Sequence, residues 1–198
     1  MTGKTHLAVG IAAALAVSPA VSPAGITAAL AAGALGGVAA DADALKNDKG
    51  RDAFKGQLLS FAVLSLTIAV VAVLNWDFWV YVQTHLRFVS FGAAGFALLW
   101  SLGVFQPHRG FTHSLMALSL FTAFGYCLYP PLTKAFFAGY ASHLMLDLLN
   151  KKGLRLFWPL KKTVCLGLLY ADRFADRLMM WLGLMAAAVA VVFKLLDR

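Results

Sequence analysis

The sequence predicts an all-α, polytopic membrane protein, and three observations carry that prediction. Hydrophobic residues make up 61% of the 198 residues and charged residues only 13%, about half the charged fraction of an ordinary soluble domain. The apolar residues form long runs that approach the ~20 residues a bilayer-crossing helix requires. Two pairs of prolines, Pro19 with Pro23 and Pro130 with Pro131, separate consecutive runs where the chain must turn. We therefore expect a single integral membrane domain over residues 1–198, with about six to seven transmembrane helices.

Seven runs are candidate membrane-spanning helices, at roughly residues 6–22, 24–40, 57–75, 88–105, 112–128, 132–150 and 178–196. The first is interpreted as an uncleaved span, because a histidine within the charged leader is unusual for a signal peptide. The second contains "AALAAGALGG", a small-residue composition that lets membrane helices approach closely. Residues 163–170 are too short to cross a bilayer and are expected to be re-entrant or interfacial.

The distribution of basic residues predicts the orientation of these spans. If the connections alternate between the two faces, the face that holds the N-terminus also receives most of the lysines and arginines, namely Lys4, the loop Lys46–Lys55, Arg109, Lys151, Lys152, Arg155, Lys161, Lys162, Arg173 and Arg177. The opposite face receives only Arg87, Lys134, Lys194 and Arg198. The positive-inside rule then places the N-terminus in the cytoplasm. No nucleic-acid partner is expected, and the sequence leaves the oligomeric state open.

Potential metal ligands fall on the same predicted face as the N-terminus. They are His6, Asp41, Asp43, His108, His113, His143 and Asp147. The i, i+4 spacing of His143 and Asp147 puts both on one side of a helix, with His143 about 10 Å below the helix end. A single buried histidine is often only a packing residue, and Asp41 and Asp43 could balance the lysines that follow them. The convergence of the whole set favours a metal site.

The donor set predicts the kind of metal centre. Histidine and aspartate without cysteine suit zinc, manganese or iron in a hydrolytic site, with zinc favoured. Seven donors exceed the four of one tetrahedral zinc, so either two ions bind, or one ion binds and a spare group such as Asp43 acts as general base. Both alternatives remain open at this stage.

Arg109 is a group that a metal site does not need. It lies in "FQPHRGFTHSLMAL", residues 105–118, and its planar fork suits phosphate oxygens and charge that develops in a phosphoryl transition state. Gly110 would let the backbone approach a ligand, and Thr112 or Ser114 is expected to cap the following helix. The competing interpretation of Arg109 is a cytoplasmic anchor that obeys the charge rule.

Two further features are weaker candidates. The collar "NKKGLRLFWPLKK", residues 150–162, includes Lys151 and Lys152, which we predict to attract anionic headgroups towards the site. Positive-inside charge with an aromatic belt explains the same collar without a function. Asp172 or Asp176 could reach the site as an outer carboxylate, although ion pairing with nearby arginines is sufficient.

"HRGFTHS" (108–114) and "GYASHLMLDLLNKKGLRLFWPL" (139–160), with His6 and the "DAD" of residues 41–43, resemble the YdjM-like family of bacterial inner-membrane metal-dependent hydrolases. The resemblance implies a divalent metal and hydrolytic chemistry but no particular substrate. Family members often have proline and histidine where this chain has Ala40 and Ala44, so one ligand of a two-metal site is absent from the pattern. A weaker similarity extends to zinc-dependent phospholipases C.

These observations predict a hydrolase at the cytoplasmic interface of the bacterial inner membrane. Water activated by the metal would attack a phosphoester while Arg109 holds the phosphate. The shallow depth of the site favours an amphiphilic substrate, such as a phospholipid or an isoprenoid phosphate. The alternative is a non-catalytic metal-binding membrane protein or a metal transporter, whose site would lie near the bilayer midplane.

Overall fold

A computed structural model describes residues 2–46, 50–168 and 173–197, with side chains described at 2–43, 58–168 and 174–197. Its α-helices are α1 (Gly3–Val17), α2 (Pro23–Ala39), α3 (Gly50–Leu74), α4 (Trp76–Thr84), α5 (Leu86–Val104), α6 (Leu115–Leu128), α7 (Pro130–Leu149) and α8 (Arg173–Leu196). Two 3-10 segments, Ala40–Lys46 and Phe111–His113, follow α2 and precede α6. Within the described residues the only β-pairing is an isolated bridge between Leu154 and Val164. The all-α prediction is confirmed.

The predicted number of spans is not confirmed. Three helical segments, Pro23–Asp43, Leu86–Val104 and Phe174–Leu196, are long and apolar enough to cross a membrane, and the bent pair Leu58–Leu74 with Trp76–Thr84 would make a fourth. The segments α1 and α6 are apolar but too short to qualify. Helix α1 ends early because Pro19 lies just beyond it. Helix α6 ends where expected but begins only at Leu115, after the 3-10 segment Phe111–His113.

Helix α2 packs against α1, α3 and α7 near the middle of the bundle. Its contact with α7 depends on two glycines. A Cβ atom at Gly36 would lie 2.3 Å from the Phe136 carbonyl oxygen, and one at Gly139 would lie 2.4 Å from that of Gly33. The expected close packing of the alanine- and glycine-rich helix is therefore confirmed. This contact brings the end of α2 beside the end of α7, where the predicted ligands lie.

Two regions that connect the predicted spans have a structure that differs from the sequence-based expectation. Residues 76–84 form a separate helix at 92° to the helix before it, which the sequence pattern did not predict. Residues 163–168, expected to be re-entrant or interfacial, contain no helix, and Val164 pairs with Leu154. The segment from Lys151 to Leu168 instead lies over the α5–α6 connection, where Leu115 N–H donates to the Leu156 carbonyl oxygen (3.0 Å).

Candidate metal centre

All seven predicted ligands come together in the structure. They form two groups, and within each group the donor atoms lie within 4.8 Å of one another. The groups are Asp41, Asp43, His108 and His113, and His6, His143 and Asp147. Each residue lies at a helix end or in a connection. His6 is on the first turn of α1, the two aspartates on the 3-10 segment after α2, His108 and His113 before α6, and His143 and Asp147 on the last two turns of α7. The structure therefore places all seven at one end of the bundle.

Asp43 is a fully buried hydrogen-bond acceptor at the base of the site. Its Oδ1 accepts from His108 Nδ1 (2.8 Å). Its Oδ2 accepts from the Arg109 backbone N–H (3.0 Å), the Thr112 hydroxyl (2.5 Å) and His113 Nδ1 (3.2 Å). Because a carboxylate only accepts, these bonds place the proton of each imidazole on Nδ1. Both carboxylate oxygens of Asp43 are thus engaged, and the Nε2 atoms of the two histidines are left for other partners.

A backbone carbonyl fixes His143 in the same way. His143 Nδ1 donates to the Gly37 carbonyl oxygen (2.7 Å) at the close α2–α7 contact. The Nε2 atoms of His143 and His113 therefore both present lone pairs, and they face each other at 3.3 Å. Two lone pairs at this distance repel unless a proton or a cation lies between them. The rings of both histidines are fully buried, so water does not relieve the repulsion.

Two carboxylate oxygens complete a compact set of four donor atoms. Asp41 Oδ1 lies 3.7 Å from the Nε2 atoms of both His113 and His143. Asp147 Oδ2 lies 3.5 Å from Nε2 of His113 and 3.9 Å from Nε2 of His143. A regular tetrahedron around zinc, with ligand distances of about 2.0–2.1 Å, has edges of about 3.3–3.4 Å. Five of the donor–donor distances, 3.3 to 3.9 Å, are thus close to the edges that one tetrahedral cation requires.

The second oxygen of Asp147 is held by two other side chains. Asp147 Oδ1 accepts from Arg109 Nη2 (3.0 Å) and lies 3.5 Å from His6 Nε2. The His6 ring stacks on the His143 ring at 3.8 Å. His6 Nδ1 is buried and has no hydrogen-bond partner among the described residues. His6 thus supports both a candidate ligand carboxylate and a candidate ligand imidazole.

The carboxylates make the site electronegative. Burial by itself would lower the pKa of His113, but the neighbouring Asp43, assisted by Asp147 and Asp41, raises that pKa above its ordinary value. The site therefore favours a positive charge at His113.

Arg109 occupies an unusual position between the two groups. Its φ of 64° lies in the left-handed region, which is costly for a residue with a Cβ. This conformation directs its backbone N–H at Asp43 while its guanidinium binds Asp147 and the Lys152 carbonyl oxygen. The predicted phosphate-binding fork is therefore engaged by protein acceptors in this structure.

The structure also shows the environments of the remaining predicted residues. Ser114 caps α6 by accepting from the Ala117 N–H (3.1 Å), so of the two cap candidates Ser114 is confirmed. A Cβ at Gly110 would lie 2.7 Å from the Pro107 carbonyl oxygen, so the tight turn itself requires glycine. The side chains of Lys151 and Lys152 are exposed beside the site. Asp172 and the side chain of Ala44 lie outside the described residues.

Three residues that build the site were not assigned these roles from sequence. Thr112 donates to Asp43, Tyr140 donates to the Thr112 carbonyl oxygen (2.6 Å), and the Gly37 carbonyl binds His143. Tyr140 gives a signal in the sequence, because its spacing of three and seven residues from His143 and Asp147 places all three on one helical face. The role of Gly37 has no local signal.

A family model described as YdjM inner membrane protein matches residues 1–198. Searches of curated proteins and of solved structures found no match to the chain.

Proposed function

This chain belongs to the YdjM inner membrane protein family, and from that premise we propose that it is a metal-dependent hydrolase of an amphiphilic phosphoester. The observation that carries the proposal is the pair of opposed Nε2 lone pairs of His113 and His143, 3.3 Å apart in a fully buried site. Such an arrangement is stabilised by a proton or a cation between the two nitrogens, and the two aspartate oxygens around it supply the negative charge that favours a divalent ion there.

One divalent ion would be held by Nε2 of His113 and His143, Oδ1 of Asp41 and Oδ2 of Asp147. Asp41 is the most accessible of these, with its side chain 17% exposed, so the site is open on its side. A divalent cation supplies Lewis acidity, which lowers the pKa of water and polarises a phosphoryl oxygen. Zinc is favoured by the tetrahedral spacing, and manganese remains an alternative. The unpartnered Nδ1 of His6 and the exposed face of His108 leave room for a second ion.

The sequence pattern suggested Asp43 as the general base. In this proposal His108, which donates a hydrogen bond to Asp43, takes that role instead. The His108 ring is 26% exposed, whereas Asp43 is fully buried. A carboxylate bonded to Nδ1 orients an imidazole so that Nε2 can accept a proton from water or return one to a leaving group. We therefore assign proton transfer to His108, with Asp43 as its positioning residue. Arg109 holds Asp147 and contributes a positive charge that favours a phosphate next to the site.

An amphiphilic substrate is supported by the surroundings of the site. The exposed Lys151 and Lys152 place positive charge beside it. An apolar cavity of about 480 Å³ lies deeper in the same bundle, lined among others by Leu35, Trp100 and Phe136. On α7, Phe136 precedes His143 by seven residues, or about 10 Å of helix. A hydrocarbon chain and an anionic headgroup therefore both have a suitable environment within one molecule.

The basic residues further support a cytoplasmic site. Lys4 lies beside the candidate ligand on α1, and Arg155, Lys161 and Lys162 belong to the segment that covers the α5–α6 connection. The positive-inside rule assigns this end to the cytoplasm. Reporter fusions after residue 17 and after residue 160 would test this. The proposal expects the first on the periplasmic side and the second in the cytoplasm, and the reverse result would contradict it.

A metal transporter is the second candidate function. Transporters hold their cargo near the bilayer midplane, where a path reaches both faces. Here the candidate ligands lie at helix ends, which favours the hydrolase. Metal uptake into proteoliposomes by the purified chain, without any hydrolysis, would reverse this preference.

The decisive experiment combines metal analysis with a hydrolysis assay. Purified protein in detergent micelles would be loaded with zinc or manganese and given phospholipids, isoprenoid phosphates and a soluble phosphodiester. We expect release of phosphate or headgroup by the wild type and loss of both metal and activity in His143→Ala. His85→Ala is the matched control, because His85 is an exposed histidine beyond the opposite end of the bundle, stacked on Tyr81.

Two results would count against the proposal. Full metal content in both His113→Ala and Asp147→Ala would refute the ligand assignment. Metal binding without hydrolysis of any of the phosphoesters would refute the activity and leave a metal-binding protein.

A further inference from the structure

Helix α8 is largely exposed, and it packs mainly against α1 among the described elements. Only 11% of its apolar window, Phe174–Leu196, is buried within the protein, and among the described elements its extensive contact is with α1. The two backbones approach closely at Gly183, where a Cβ would lie 2.9 Å from the Val9 nitrogen. Helix α1 carries His6, so whatever holds α1 also sets the position of that histidine.

Asp176 holds the first turn of α1 through several bonds. Its Oδ1 accepts from the Thr2 backbone N–H (2.8 Å) and the Thr5 hydroxyl (2.9 Å), and its Oδ2 accepts from the Thr2 hydroxyl (2.9 Å). The Thr5 hydroxyl also lies 3.2 Å from the Asp176 carbonyl oxygen. Thr2, the N-cap of α1, makes no side-chain cap bond within its own helix, and its backbone N–H and hydroxyl donate to Asp176 of α8 instead.

The other end of α1 is held by a charge of opposite sign. Lys194 Nζ donates to the carbonyl oxygen of Ser18, the C-cap residue of α1. The two helices are therefore parallel, with a carboxylate at the N-terminus of α1 and an ammonium group at its C-terminus. Both charges complement the dipole of α1. Each end of α1 is thus held by α8.

We infer that Asp176 is a positioning residue for the metal centre, acting through Thr2 and Thr5 to hold His6 against His143 and Asp147. Asp176 belongs to neither group of candidate ligands. Thr5 directly precedes His6 and is fully buried, and His6 is 2% exposed. Release of the first turn would move the ring that stacks on His143 and faces Asp147. This inference rests on the proposed metal site for its function but on the hydrogen bonds alone for the anchoring.

The test is a double-mutant comparison of zinc affinity in the purified full chain. Substitution of groups that orient metal ligands typically costs 10–100-fold in affinity, and we expect Asp176→Ala to weaken zinc binding about tenfold. Asp176→Asn keeps one acceptor and should lose less. In a His6→Ala background, Asp176→Ala should have no further effect, because the residue that it positions is absent. An equal loss in both backgrounds would overturn the inference, since it would indicate general loosening of the fold.

Lys194→Gln is the matched control, because it removes the bond between α8 and the opposite end of α1. It should leave zinc affinity within twofold of wild type. Hydrogen exchange of residues 3–8 supplies a readout that needs no metal, and it should accelerate in Asp176→Ala but not in Lys194→Gln. If the wild type binds no zinc, the proposed function fails while the exchange result still decides the anchoring. Unchanged exchange in Asp176→Ala refutes the inference in either case.

Discussion

The substitution Asp43→Asn tests whether Asp43 binds the metal directly or instead holds the histidines at the site. The amide oxygen of the substituted side chain can replace Oδ2 and still accept from Arg109, Thr112 and His113, but without a negative charge. Hydrogen bonds to a charged group contribute about 1.5–3 kcal/mol and neutral ones about 0.5–1.5. Loss of about 1 kcal/mol at each of the three bonds predicts destabilisation by about 3 kcal/mol.

The other half of the same substitution changes His108. The NH₂ group of the new amide would replace Oδ1, which now accepts from His108 Nδ1 at 2.8 Å. Two donors cannot face each other, so the proton of His108 must move to Nε2, and Nε2 can then no longer accept one. We expect hydrolysis to be lost, whereas zinc affinity should fall only 10–100-fold, as expected for a group that supports ligands.

The assay is zinc competition with a chelating dye, together with thermal unfolding in detergent, for Asp43→Asn beside Asp41→Asn. Asp41 is assigned as a direct ligand, so its substitution should weaken zinc binding far more while costing less stability, because its side chain is partly exposed and makes no hydrogen bond to a described residue in this structure. The reasoning would be refuted if Asp43→Asn abolished zinc binding as completely as Asp41→Asn, or if it left both affinity and stability unchanged.

Three further predictions address packing, substrate binding and metal loading. Gly139→Ala would place a Cβ 2.4 Å from a carbonyl oxygen of α2 and should destabilise the protein by about 1–3 kcal/mol in thermal unfolding. The control is Gly125→Ala, whose Cβ meets nothing within 4 Å and should not destabilise the protein. Equal unfolding midpoints for the two variants would contradict this prediction. Arg109→Lys keeps the charge but loses the fork that holds Asp147, so zinc affinity should fall about tenfold. At saturating zinc, KM for a phosphoester should still rise about tenfold, and an unaltered KM would exclude the role in substrate binding. Zinc at 100 times its Kd should raise the free energy of unfolding by about 2.7 kcal/mol in wild type and His85→Ala, and a similar rise in His143→Ala would remove that histidine from the ligands.

The convergence of the candidate ligands was predictable from sequence because membrane helices constrain direction. Once the apolar runs are assigned to alternate crossings, each polar residue near a helix end belongs to one of two faces. His6, Asp41 and His113 could therefore be grouped although they lie on separate elements. The i, i+4 spacing of His143 and Asp147 added a local relation that any helix preserves. Convergence needed only the alternation of crossings and the position of each residue near one end of an apolar run, not the exact helix bounds.

The number of spans was less predictable, because hydropathy does not fix helix length or bending. Residues 76–84 look like a connection in the sequence but form a helix at 92° to α3. The span predicted for α1 continued to residue 22, past the proline that ends the helix. The span predicted for α6 began at residue 112, whereas the helix begins at Leu115.

The division of labour within the site depends on partners that are distant along the chain. Asp43 bonds to residues 65–70 positions away, Gly37 bonds to His143 106 positions away, and Asp176 bonds to Thr2 174 positions away. Every imidazole in the set has two nitrogens, and which one is free is decided by the partner of the other. Composition and spacing contain no information about that partner.

The sequence by itself determined that the chain is a helical membrane protein and that four of its histidines and three of its aspartates meet at one end of the bundle. Hydrophobic length and alternate crossing are properties of segments, and they can be read one segment at a time. Only the tertiary structure decided that Asp43 holds imidazoles, that Nε2 of His113 faces Nε2 of His143, and that Asp176 anchors α1. These relations depend on side-chain direction and backbone approach between elements to within a few tenths of an ångström, which arise only when the helices pack together.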